Sequence, residues 1–195
     1  MALKYAVLSA LLDGEASGYD LAKRFDVSVA NVWHALPQQI YAELAAMERA
    51  GLVSGRTIVQ ESRPNKRLYS LSAEGRRDLA AWLTETPRAS AVKDDMLVRC
   101  FAADVVAPAE LIPGIKARRA QHMAKLEHYR TLRELLFKGR SEEEYLRTTR
   151  RVGPYLALRR GLAFEEENIV WCDWVVSVLT ARGKQAGRGA AAAES

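Results

Sequence analysis

The sequence predicts a mainly α-helical chain with one small β-hairpin, and three observations lead there. First, Ile40, Leu44 and Met47 recur at helical spacing behind Pro37, a residue suited to a first helical turn because its missing N–H has no partner there. Gly51 stops that helix as the residue beyond its C-cap. Second, Val53 and Ile58-Val59 read as a strand, and the alternating Arg67–Leu71 as its return. The turn-rich, cationic Glu61–Lys66 joins them. Third, the apolar residues elsewhere repeat in steps of three and four. A short helix, a sharp stop and a hairpin with a basic tip form the pattern of a winged helix-turn-helix.

Length and charge set the bounds. With 195 residues the chain has room for one good core and a second, smaller unit. A net charge of +5 permits a polyanionic partner without requiring one. The local balance says more. From Arg56 to Arg77 the cations are Arg56, Arg63, Lys66, Arg67, Arg76 and Arg77, against Glu61 and Glu74. Cys100 and Cys172 sit in apolar helical patterns without CxxC spacing, as small buried hydrophobes in a reducing cytosol. Met1–Leu12 lacks a basic start and a cleavage site, so it is not read as a signal peptide. No apolar run nears the roughly 18 residues that span a bilayer. A soluble, cytoplasmic protein without membrane contact is expected.

Taken in order, Leu3, Val7, Leu8, Leu11 and Leu12 mark a first helix that ends at Asp13-Gly14. Ser17 caps a second, with Asp20 well placed for the helix dipole. Asp26–Ala35 is a less regular connection before the helix at Pro37. Ser72 caps a fourth helix from Ala73 to about Thr86, with Leu79, Trp82 and Leu83 inward. Residues 1–86 thus form one domain and the polar, proline-containing stretch 87–94 a linker. Residues 95–182 form a second, helical domain. Asp95–Asp104 is a short helix with Met96, Leu97, Cys100 and Phe101 on one face. Pro108 and Pro113 bracket a turn before a long helix, Gly114–Lys138, which Gly139 ends. Ser141–Glu144 is a capping box, and Gly153-Pro154 interrupts the helix that it opens. In the last long helix Leu158, Leu162, Ile169, Cys172, Val176 and Leu179 form a helix–helix seam, read as the dimerisation stripe. Phe164, Trp171, Trp174, Val175 and Val178 widen the apolar surface to a second side, which calls for a second partner. Residues 183–195, rich in Gly and Ala, are expected to be disordered.

Three segments carry a family resemblance: SGYDLAKRF, QQIYAELAAMERAGLV and SRPNKRLYSLSAEGRRDLAAWL. They resemble the N-terminal domain of the PadR family of bacterial transcriptional regulators over some eighty positions. The matching elements are Gly18-Tyr19-Asp20, the run from Ile40-Tyr41 to Gly51-Leu52, and the wing from Pro64 to Tyr69. Many members have Gly and then Pro around that tyrosine, where this chain has Gln38 and Ala42. LRRGLAFEEENIVWCDWVVSVL resembles the C-terminal domain of the larger members. The resemblance implies a homodimeric DNA-binding repressor that a small aromatic effector can release.

On that reading, Gln38 and Gln39 stand at the start of the recognition helix, where glutamine pairs bidentately with adenine. Tyr41 is a phosphate or sugar contact or a packing residue. Arg63, Asn65, Lys66 and Arg67 at the wing tip meet phosphates or a minor groove. Ser17 and Tyr19 either hold a phosphate at the second helix or serve as cap and core. The partner is double-stranded DNA, a pseudo-palindromic operator read by two recognition helices. His122 and Tyr129, near Arg118 and Arg119, and Trp171 with Trp174, are candidates for an effector pocket, or else residues of the core or seam. His34, His122 and His128 lack partners at ligand spacing, so neither a metal nor another cofactor is expected.

Enzyme signatures do not occur: there is no phosphate-cradling glycine loop, no GxSxG and no cysteine with a well-placed histidine. The triplets Glu142–Glu144 and Glu165–Glu167 read as surface. Two rival readings stay open, a winged helix that binds protein and a nonspecific architectural DNA binder.

Overall fold

A computed structural model describes residues 2–24, 35–59, 65–87 and 93–193. The chain divides into two compact units, Met1–Ala89 and Ser90–Ser195. The connection expected over Asp26–Ala35 lies outside the described residues except at Ala35, as do Glu61–Pro64 of the hairpin tip.

The first unit starts with α1 (Ala2–Ala10), which tightens into a 3-10 turn, Leu11–Asp13, and stops at Gly14. A two-residue strand, β1 (Ala16–Ser17), leads into α2 (Gly18–Arg24). Then come α3 (Pro37–Arg49), the hairpin β2 (Val53–Ile58) and β3 (Lys66–Leu71), and α4 (Ala73–Leu83). The sheet order is β1-β3-β2, antiparallel throughout, with Ala16 opposite Tyr69 and Val53 opposite Leu71. β1 has no signal in the sequence: two residues show no periodicity, and only their long-range partner β3 makes them a strand.

The face of α3 is as the spacing requires, with Ile40, Leu44 and Met47 buried beside Val7, Leu8 and Leu21. Each such side chain contributes about 1.5–3 kcal/mol of transfer free energy. Gly51 holds φ at +72° and lets the chain leave α3. Ser72 then fixes the next helix. Its Oγ accepts the Gly75 N–H at 2.9 Å while its hydroxyl donates to the Gly51 carbonyl at 2.7 Å. Trp82 lies flat on Tyr5, with centroids 4.2 Å apart, and Lys4 pairs with Asp78 at 2.8 Å. Leu83, expected inward, is exposed, because α4 ends there and Trp82 takes the place against α1.

The second unit holds α5 (Asp95–Phe101), a 3-10 turn (Ala103–Val105), α6 (Pro108–Phe137), α7 (Glu142–Thr148) and α8 (Gly153–Ala193). Near the start of α6, Ile115 packs with Cys172 and Leu179 late in α8. Leu126, Tyr129 and Phe137 pack with Tyr155, Leu158 and Leu162 early in α8. The two long helices are therefore antiparallel. Phe137, Tyr145 and Tyr155 close one end, with ring centroids 5.0–5.6 Å apart.

Several boundaries differ from those the sequence suggests. The long helix begins at Pro108, not Gly114, because Pro108 stands at its first position and Glu110 accepts the Ala107 N–H at 3.2 Å. Pro113 rides inside it and forgoes one backbone bond. Leu97 and Phe101 on α5 are exposed, Phe101 to 93%. The tail expected to be disordered from Gly183 continues α8 to Ala193. Alanines extend a helix already nucleated, which needs no new first turn. No described helix is long and apolar enough to cross a membrane.

Candidate nucleic-acid interface

The solvent face of α3 carries Gln38, Gln39, Tyr41, Ala42, Ala45 and Arg49, all exposed. The two glutamines differ in what they can offer. Gln39 bends back so that its Oε1 accepts the Leu36 N–H at 2.9 Å, which caps the helix in place of a Ser or Asp. Its acceptor is thus used, whereas a bidentate adenine contact needs both donor and acceptor. Gln38 stands beside it, exposed at the first turn.

Tyr41 is half exposed, and its ring lies against the start of α2: a Cβ on Gly18 would come within 2.3 Å of it. The glycine at 18 thus makes room for the tyrosine. Tyr19 is 60% exposed, with Lys23 above its ring at 5.0 Å. Ser17, a candidate phosphate contact, is instead an internal cap. It is buried, accepts the Asp20 N–H at 3.1 Å and donates to Asp20 Oδ2 at 2.8 Å.

The wing cations are committed within the unit. Lys66 Nζ meets Asp20 at 2.8 Å, Arg67 meets Glu48 at 2.6 Å and Arg56 meets Glu15 at 2.6 Å. The Lys66 ammonium and the Ser17 hydroxyl hold the Asp20 carboxyl down to about 2. The sequence alone assigns Lys66 and Arg67 to phosphates and misses these carboxylates, which come from helices far away in the chain. Asn65 is exposed at the base of the tip, and Arg63 lies outside the described residues.

In the second unit the four candidate effector residues fall in two places. His122 and Tyr129 are buried in the helix pair. His122 Nδ1 contacts a carboxylate oxygen of Glu165, only 2% exposed, so Glu165 is not the surface residue its triplet suggested. The triplet spans most of a turn, and one member must face α6. Arg118 Nε donates to His122 Nε2 at 3.1 Å, and Asp94 holds Arg118 at 3.1 Å. Trp171 and Trp174 belong to an open groove of about 770 Å³, lined also by Cys100, Val106, Leu111 and Val178. Among the described residues, no group of three or more His, Cys, Asp or Glu side chains is placed to hold a metal.

The expected dimer seam closes inside one chain. Leu158, Leu162, Cys172 and Leu179 are buried among residues of α6, with Ile169 and Val176 half-buried beside them. Steps of three and four identify a helix–helix contact but not which helix fills it. The second stripe is open only in part: Phe164, Trp174 and Val178 are exposed on α8, as is Val170, whereas Trp171 is half-buried and Val175 is buried in the cluster of Ile115.

Comparison with known proteins agrees with this geometry at both ends of the chain. Residues 7–81 match the transcriptional regulator PadR-like family, and residues 92–180 the virulence activator alpha C-terminal family. A probable transcriptional regulator of Mycobacterium tuberculosis is 36% identical over 189 residues, covering 92% of this chain and 98% of its own. The negative transcriptional regulator PadR of Bacillus subtilis is 29% identical, covering 91% and 97%. The crystal structure of Bacillus subtilis PadR with operator DNA superposes with a TM-score of 0.79 at 27% identity, over 92% of this chain and 99% of that one. The Vibrio cholerae virulence activator AphA does so at 0.68 and 26%, with the same coverage. The chain belongs to the PadR-like family of transcriptional regulators.

Proposed function

We propose that this protein is a cytoplasmic, homodimeric repressor that binds a pseudo-palindromic DNA operator through α3 and the β2–β3 wing. The observation that carries the reading is the exposed face of α3 beside a cationic hairpin, in a chain that superposes along its length on a relative solved with operator DNA. Gln38 faces bases, while Tyr19, Tyr41, Asn65 and Arg63 supply contacts to the backbone or the wing's groove. The exposed α8 stripe of Phe164, Val170, Trp174 and Val178 is the surface offered to a second copy.

Effector release draws its support from the Bacillus subtilis relative solved with p-coumaric acid, 26% identical with a TM-score of 0.73. An aromatic acid in this chain would stack in the groove at Trp171 and Trp174, which shares Trp174 and Val178 with the surface offered to a second copy, because His122 and Tyr129 are already packed inside the helix pair.

The test is binding to the DNA flanking its own gene, against a scrambled duplex, at two salt concentrations. A preference of about a thousandfold with steep salt dependence is expected. A ratio near one at that site and in a selection from random DNA would overturn the reading, in favour of an architectural or protein-binding winged helix.

A further inference from the structure

Two residues in the first unit run against their local structure. Glu48 stands in the last turn of α3, where the helix dipole disfavours a carboxylate. Gly55 sits in the interior of β2, where glycine weakens a strand. One ion pair accounts for both. Glu48 Oε1 receives Arg67 Nη2 at 2.6 Å and Oε2 receives Nε at 3.2 Å, a two-point grip on the guanidinium. In the antiparallel register Thr57 is opposite Arg67 and Gly55 opposite Tyr69, so all four occupy one face of the hairpin. Arg67 passes over the Tyr69 ring at 5.9 Å, donates to Thr57 Oγ1 at 3.3 Å, and ends above Gly55. A Cβ at Gly55 would lie 2.2 Å from Glu48 Oε1 and 2.8 Å from Arg67 Nε. The missing side chain is the seat of the pair. On the other face of β3, Lys66 is held by Asp20 of α2.

We infer that Glu48 and Gly55 are positioning residues for DNA reading. The Glu48–Arg67 pair, seated at Gly55, fixes the wing to the recognition helix, so that base contacts and backbone contacts are made in one register. This rests on the DNA-binding reading above. Phosphate contacts give a protein its register on the duplex, and a wing that moves against the helix cannot supply it. Both partners keep substantial exposure, Arg67 46% and Glu48 29%, so the pair adds little to folding; its consequence is geometric.

The sign of one substitution separates positioning from simple charge. Glu48→Gln removes a negative charge beside the phosphate track, so electrostatics alone predicts tighter binding to any duplex and a steeper salt slope. Positioning predicts the opposite for specific DNA. Gly55→Ala changes no charge, and its methyl displaces only the mobile ends of two side chains. The probe is a duplex selected by the wild-type protein from a randomised pool, with a scrambled duplex as reference. Both variants should lose roughly tenfold on the selected duplex, the size of one mismatched base pair. On the scrambled duplex Gly55→Ala should match wild type, and Glu48→Gln should match or exceed it. Both should melt within a few degrees of wild type. Tighter binding of Glu48→Gln to both duplexes, or an unchanged specificity ratio in Gly55→Ala, would overturn the inference. A wild type that selects no duplex would instead sink the DNA reading beneath it.

Discussion

His122 and Glu165 face each other in the interior of the second unit, His122 from α6 and Glu165 from α8, with neither open to water. Arg118 donates to the ring at Nε2, so the proton toward the carboxylate sits on Nδ1. His122→Ala should therefore leave a buried carboxylate without its donor and cost about 3–5 kcal/mol. Glu165→Gln keeps an acceptor for Nδ1–H and should cost much less. Urea unfolding of the two variants checks the order, and equal losses would count against the assignment.

Gly75 tests how tightly the fourth helix is set. A Cβ there would fall 2.0 Å from the carbonyl oxygen of Leu52, a backbone atom that cannot swing aside. Gly75→Ala should destabilise the first unit by at least about 1–3 kcal/mol, despite alanine's better helix propensity. Thermal melting decides it. A stabilised variant would show that the turn after α3 is softer than its hydrogen bonds imply.

Tyr155 gives a pH signature. Burial, followed by its 2.6 Å donation to Glu142, pushes its hydroxyl up to about 12 from an ordinary value near 10. A raised folded-state value favours the neutral phenol in the fold, so its contribution is intact below pH about 10 and lost as pH rises toward about 12. Stability should fall more steeply across that window in wild type than in Tyr155→Phe. Parallel curves would remove Tyr155 from the account.

The two glutamines of α3 should separate in specificity. Gln38→Ala should relax discrimination at one base pair by about 1–3 kcal/mol. Gln39→Ala should loosen the helix start by about 0.5–2 kcal/mol of stability and leave base preference unchanged. Selection from random DNA reads the first and melting reads the second. Swapped outcomes would mean that Gln39 leaves its cap when bound.

The stripes of α8 should separate in the same way. Trp174→Glu, on the exposed stripe, should yield a folded monomer by sedimentation. Leu162→Ala, in the closed seam, should destabilise by about 2–5 kcal/mol and leave assembly to follow the remaining fold. A folded Trp174→Glu dimer would place the interface elsewhere.

Much of the first unit is legible because its signals are local. Pro37 and Gly51 bound α3, Ile40, Leu44 and Met47 mark its buried face, and Ser72 announces α4. What escapes depends on distant partners. β1 exists only against β3, and Arg67 and Lys66 are claimed by Glu48 and Asp20 on helices earlier in the chain. In the second unit the period of α8 identifies a packed face but not its occupant, so an internal seam reads as an intersubunit one. The buried side of Glu165 is hidden for a related reason: three successive glutamates look alike until a histidine on another helix selects one.

The stacking of Tyr5 on Trp82 also sets an order of events at the ribosome. α1 is synthesised before α4, yet the ring that covers Tyr5 and the carboxylate that pairs with Lys4 belong to α4, the last helix of the unit. Until that helix emerges, Tyr5 lacks the ring that covers it and Lys4 its carboxylate. Completion of this unit is thus a late event in its own synthesis, arriving when the recognition helix and wing are already outside the exit tunnel.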